Sequence, residues 1–149
     1  MNTMEIRELK FPELEQVLAL YEEYERQISA WPSKQEQQNI FEQLLKSGGC
    51  VLVAVVDFAV VGSCTLNICP YFSWSGRPYA IIENVIVTQT HRNQGIGKAL
   101  LGHAANLAEG KGCYKVALMT GSKEPSTLKF YESAGFKGNK QGFQRRFNA

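Results

Sequence analysis

Apolar and polar positions alternate at the start of the chain, in "MEIRELKF", which predicts a first strand with Ile6 and Leu9 as core residues. The period then lengthens. Pro12 opens a helix at its first turn, where a missing N–H costs nothing, and Leu14, Val17, Leu18 and Tyr21 keep helical spacing through "ELEQVLALYEEYE". After a "SAWPS" break, Ser33 is the expected N-cap of a second helix, "KQEQQNIFEQLLK", which stops at Gly48-Gly49. Two strand-like runs follow, "CVLVAVVD" and "FAVVGSCTLNI", with Asp57 at the turn of a hairpin. The loop "CPYFSWSGRP" leads into a third β-branched run, "AIIENVIV", and a polar turn with two glycines, "HRNQGIG", then opens a helix over about 95–109. "GCYKVALMT" predicts another strand, "PSTLKFYESA" a short helix, Gly135-Phe136 a return to extended chain and "GFQRRF" a closing strand. The order β-α-α-β-β-β-α-β-α-β is that of a mixed α/β or α+β layer fold. No repeat, low-complexity tract or linker interrupts it, so one domain over residues 1–149 is expected.

Composition narrows the classes. Lys and Arg number 16 against 14 Asp and Glu, a net charge of +2, which disfavours a nucleic-acid binder but leaves room for a local patch that takes an anionic small molecule. The longest apolar run is far short of the ~18 residues of a membrane span, and "MNTMEIRELK" lacks the apolar core of a secretory signal. A cytoplasmic, reducing setting without a membrane partner is the expectation. Cys50, Cys64, Cys69 and Cys113 form no C-x-x-C pair, and His91 and His103 are the two histidines, so no metal centre is expected. Cys50 and Cys64 read as small buried apolar side chains.

The junction of "AIIENVIV" with "HRNQGIGKAL" carries the clearest chemistry. A helix N-terminus presents unpaired N–H groups and the positive end of the macrodipole, which together suit phosphate oxygens. Gly95 and Gly97 would let the backbone approach an anion closely, and Arg92 and Lys98 could add charge-assisted bonds. A P-loop fails here, because Arg92 and Ala99 stand where it needs Gly and Ser or Thr. A dinucleotide fingerprint fails at Leu100, where its third glycine belongs. A plain strand-to-helix turn, with glycines that only relieve sterics, stays open on these residues alone.

The segment Arg92-Asn93-Gln94-Gly95-Ile96-Gly97 resembles the coenzyme A-binding signature of the GCN5-related N-acetyltransferase family: Gln or Arg, two residues, Gly, one residue, then Gly or Ala. "IENVIV" looks like that family's fourth strand, and "LKFYESAGF" is similar to its "FY…GF" segment. The resemblance implies an acyl-CoA N-acyltransferase-like fold, with a mixed, mostly antiparallel central sheet and helices on both faces. It also implies an acetyl-CoA-dependent N-acetyltransferase that moves an acetyl group directly to a primary amine within a ternary complex. In that family a bulge splays the fourth strand from the fifth, and the pantetheine arm fills the gap. Carried over, the backbone of Val85-Ile86-Val87 would bond the pantetheine amides, and the amides from about Asn93 to Lys98 would hold the pyrophosphate. Tyr131 matches the tyrosine that protonates the coenzyme sulfur.

Glu83 is the candidate base, since an acid in an apolar strand is costly unless it faces a wet cleft or a partner, and partial burial there would suit it to that role. Relatives often carry an asparagine seven residues before the tyrosine, where this chain has Glu124; Ser126 is the candidate substitute. On the acceptor side, Glu22, Glu23 and Glu25 could draw a cationic amine, while Trp31, Tyr71, Phe72 and Trp74 could wall its pocket. A catalytically inactive acyl-CoA-binding regulatory module is the alternative, sharing the glycine turn without needing Glu83 or Tyr131. A homodimer is compatible with the clustered aromatics, though no residue fixes it.

Overall fold

In the computed structural model, which describes residues 3–24 and 30–147, the strands β1 (Met4–Glu8), β2 (Cys50–Val56), β3 (Ala59–Cys69), β4 (Tyr79–Val87) and β5 (Val116–Leu118) form one sheet in chain order. Each of the first four is antiparallel to its neighbour and β5 runs parallel to β4, so the sheet is mixed and mostly antiparallel, as expected. The helices are α1 (Leu14–Glu22), α2 (Lys34–Lys46), α3 (Ile96–Gly110) and α4 (Pro125–Ser133).

Strand β2 sorts the layers. Cys50, Leu52, Ala54 and Val56 alternate onto one face, where they meet Leu100, Leu101 and Ala104 of α3. Val51 and Val53 turn to the other face, against Val17 and Leu20 of α1 and Phe41 and Leu44 of α2. Both faces are therefore covered by helices, and β2 is apolar throughout because neither of its sides meets water. Burying a side chain such as Leu100, with no accessible surface left, contributes about 1.5–3 kcal/mol. The approach of α3 to the sheet depends on Gly62, where a Cβ would sit 3.1 Å from both Ile96 and Leu100.

Local rules account for the connections. Asp57 and Phe58 both take left-handed backbone, the twist a two-residue hairpin needs. The Ser33 hydroxyl accepts the Glu36 amide at 3.2 Å, so the predicted N-cap of α2 is in place.

Two sequence expectations change. The strand read from "GCYKVALMT" pairs over only three residues, because β4 leaves its neighbour after the Ile82–Leu118 pair. The expected closing strand in "GFQRRF" does not form. Residues 138–147 have no regular structure, and Phe143 and Phe147 stand exposed, since so short an edge strand offers little to pair with. Beside that free edge of β5, α4 and the tail leave a cavity of about 620 Å³.

Candidate active site

The site is set by an irregularity in β4. Between the pairs Ser63–Ile86 and Thr65–Glu83, β3 advances two residues while β4 advances three. The extra residue is Asn84, at φ +52, a left-handed conformation that asparagine tolerates better than most. The insertion resets the alternation. Ala80 and Ile82 face α3 before the bulge, and Val85 and Val87 face it afterwards. The β4–β5 ladder ends at Ile82–Leu118, immediately before the bulge, so a gap opens between the strands beyond that point. Thr88 donates its amide to the Val61 carbonyl at 2.8 Å, toward β3. Val87, one residue earlier, therefore turns its backbone groups to the gap, and Val85 does so by alternation.

The gap leads to the start of α3. Arg92, Asn93, Gln94, Gly95 and Lys98 are exposed, whereas Ile96 is buried and anchors the turn to the core. Gly95 sits at φ +80 with open space where a Cβ would point. The first helical bond runs from the Ala99 amide to the Gly95 carbonyl, and the amides from Gly95 to Lys98 have no acceptor among the described residues. Gly97 has a different reason. A Cβ there would lie 3.0 Å from Cζ of Phe130, so this glycine lets α4 pack against α3. The bare backbone of Gly95 leaves the approach to these amides open, and that of Gly97 makes room for Phe130.

Tyr131, next along α4, is half-buried and packs against the α3 side of the core. Burial pushes its phenol up from the ordinary tyrosine value, which keeps the proton on the oxygen at neutral pH. Tyr131 also lines the cavity beside β5, along with Val116, Leu118 and Ser122, and no residue of β4 or of the glycine turn lines that cavity. Glu83 stands next to the bulge and is exposed, so the partial burial foreseen for it is absent. Ser126 is exposed and its hydroxyl makes no hydrogen bond among the described residues. The start of α4 is organised instead by Ser122, whose hydroxyl accepts the Glu124 amide at 3.2 Å and donates to Thr127 at 3.1 Å.

The expected acceptor residues fall at two ends of the sheet. Tyr71, Trp74, Tyr79 and Tyr114 make a ladder of ring contacts at the beginnings of β4 and β5, with Phe72 fully exposed beside it. Tyr79 is four residues, about 13 Å, from Glu83 and roughly 25 Å from Val87. Trp31 lies elsewhere, donating its indole N–H to Glu22 at 2.8 Å near the end of α1. Glu23 is engaged too, accepting the Thr88 hydroxyl at 2.8 Å and the Gln89 amide at 3.1 Å, so it is not a free anion awaiting a cationic amine. Glu25 lies outside the described residues. Tyr24 donates its hydroxyl to the Val87 carbonyl and accepts Arg92 Nε at 3.0 Å. Sequence reasoning missed Glu23 and Tyr24 as partners of β4, because the contacts span more than sixty residues and the "YEEYE" run reads as a solvated helix face.

The buried thiols are poor nucleophiles. Burial pushes Cys50 up to about 11 and Cys64 up to about 12, and both are fully covered by core side chains.

The profile described as the acetyltransferase (GNAT) family matches residues 14–136. Glucosamine 6-phosphate N-acetyltransferase of Trypanosoma brucei brucei is 40% identical over 82 residues, 55% of this chain and 54% of that protein. Aminoglycoside N(6′)-acetyltransferase type 1 of Klebsiella aerogenes is 32% identical over 115 residues, 71% of this chain and 75% of that one. Among solved structures, a putative acetyltransferase from Agrobacterium tumefaciens str. C58 superposes with a TM-score of 0.86 at 36% identity, covering 96% of this chain and 99% of that one. The chain spans about half the length of the first curated relatives it matches.

Proposed function

Because the chain belongs to the acetyltransferase (GNAT) family, we propose that it is an acetyl-CoA-dependent N-acetyltransferase acting on a primary amine of a small molecule or peptide. The observation that carries this reading is the row of acceptor-free amides from Gly95 to Lys98, at the mouth of the gap that the Asn84 bulge opens. The residues present fit the coenzyme. The bare amides and the dipole of α3 suit a diphosphate, Arg92 and Lys98 add positive charge, and the space in front of Gly95 is clear. Val85 and Val87 offer strand-edge groups to an amide-bearing arm.

The coenzyme supplies the acetyl group as a thioester. This chain's residues supply the proton handling. A primary amine near pKa ~10 must lose a proton before it attacks. Glu83, exposed beside the bulge, takes that proton directly or through water. Tyr131, held protonated by its burial, delivers a proton to the departing sulfur. Transfer is direct to the amine, and the raised thiols of Cys50 and Cys64 fit a route without an acyl-cysteine.

The test is calorimetric titration with acetyl-CoA, followed by a screen of amines with detection of released free thiol. Glucosamine 6-phosphate and aminoglycosides head the panel, since relatives named for them match this chain. Acetyl-CoA binding with acceptor-dependent thiol release is expected. No binding at millimolar concentration would remove the coenzyme claim, and tight binding without thiol release from any amine would favour the inactive acyl-CoA-binding regulatory module. Tyr131→Phe should lower turnover about a hundredfold while leaving coenzyme affinity in place; unchanged turnover would remove the acid role.

A further inference from the structure

We propose that Tyr24 is a latch on the coenzyme groove: its phenol holds the Val87 carbonyl in the free chain, and the pantetheine arm binds by displacing it. The proposal rests on the acetyl-CoA reading and adds a regulatory contact to the same site. Beyond Ile82–Leu118 no strand among the described residues pairs with the gap edge of β4, and the Val87 carbonyl there is an acceptor that an arm lying down like an added strand would take. Tyr24 already donates into that carbonyl. The same hydroxyl accepts Arg92 Nε at 3.0 Å, and the guanidinium lies 4.8 Å from the ring centroid. Arg92, at the head of the glycine turn, is thereby turned toward α1.

Glu23 completes the contact through Thr88 and Gln89, so the end of α1 covers the end of β4. All these bonds are exposed and exchange readily with water, as a contact made to open must. A closed latch lowers apparent coenzyme affinity by the fraction of molecules it holds shut. Opening it frees Arg92 for the diphosphate and moves the end of α1, where Glu22 holds Trp31.

Calorimetry on the full chain separates the cases, using coenzyme A and 3′-phosphoadenosine 5′-diphosphate, which keeps the phosphates but lacks pantetheine. Tyr24→Phe should bind coenzyme A about three- to tenfold tighter, with a smaller gain for the fragment, which feels only the release of Arg92. Equal or weaker coenzyme A binding by Tyr24→Phe, with the wild-type chain still binding, overturns the latch and leaves the acetyl-CoA reading intact. A gain shared equally by the fragment also overturns it, since the effect would then run through Arg92 alone. Absence of coenzyme A binding by both proteins removes the acetyl-CoA reading itself. In a Trp74→Phe background, Trp31 emission should change on saturation with coenzyme A; unchanged emission with bound coenzyme would mean that the end of α1 stays shut, against the latch.

Discussion

The chain ahead of α1 and the first turn of α2 are held by side chains, and α3 begins with its first amides bare. Before α1, the Glu13 carboxylate accepts the Lys10 amide at 2.8 Å and is itself gripped by Arg7 at 2.6 and 2.8 Å. At α2, Ser33 caps Glu36. At α3, the N-cap is Gly95, in left-handed backbone with no side chain to offer, and the amides up to Lys98 have no acceptor among the described residues. Gly95 gives up the side-chain bond that Ser33 supplies at α2, and with it roughly a few tenths of a kcal/mol of stability. An anion bound by those amides would return it.

That contrast can be broken in four places. The largest effect is expected from Gly95→Val. A β-branched residue in left-handed backbone costs about 1–2 kcal/mol of stability, and its side chain would enter the open cradle, weakening coenzyme A at least about tenfold by calorimetry. Gly97→Val should cost about 1–3 kcal/mol in urea unfolding by crowding Phe130, with a smaller loss of coenzyme affinity. Ser33→Ala should cost about 1 kcal/mol and leave coenzyme affinity untouched, because its cap serves the fold alone.

The smallest effect concerns acid. Hydrogen bonding from Arg7 holds the Glu13 carboxyl at about 2, well below its ordinary 4.5. Its contribution is therefore fully present above about pH 4.5 and is lost as the pH falls toward 2. Glu13→Gln should shrink the difference between urea midpoints measured at about pH 6 and about pH 3. An unchanged difference would mean that the Arg7–Glu13 pair does not steady the start of α1.

Much of this architecture was legible in the sequence because periodicity and turn chemistry are local. The alternation of β1, the Ser33 cap, the Asp57 hairpin and the glycine turn each follow from residues within a few positions of one another. The failures are non-local. The Phe130 ring that requires Gly97 comes from a different helix. The true extent of β5 depends on where β4 bends away, and the missing closing strand depends on that extent in turn. The packing of the aromatic loop on Tyr79 and Tyr114, at the far end of β4 from the glycine turn, likewise follows from no local pattern. Asn84 gave no signal as a bulge residue on its own; only the family resemblance pointed to an irregular fourth strand.

The most direct test of the account follows backbone amide resonances while coenzyme A is titrated into the isotopically labelled chain. The amides from Gly95 to Lys98 should shift together and strongly, while those of Lys34 to Glu36 at the capped start of α2 stay put. Shifts confined to Val116, Leu118, Ser122 and the other walls of the cavity beside β5, with Gly95 to Lys98 unmoved, would contradict it.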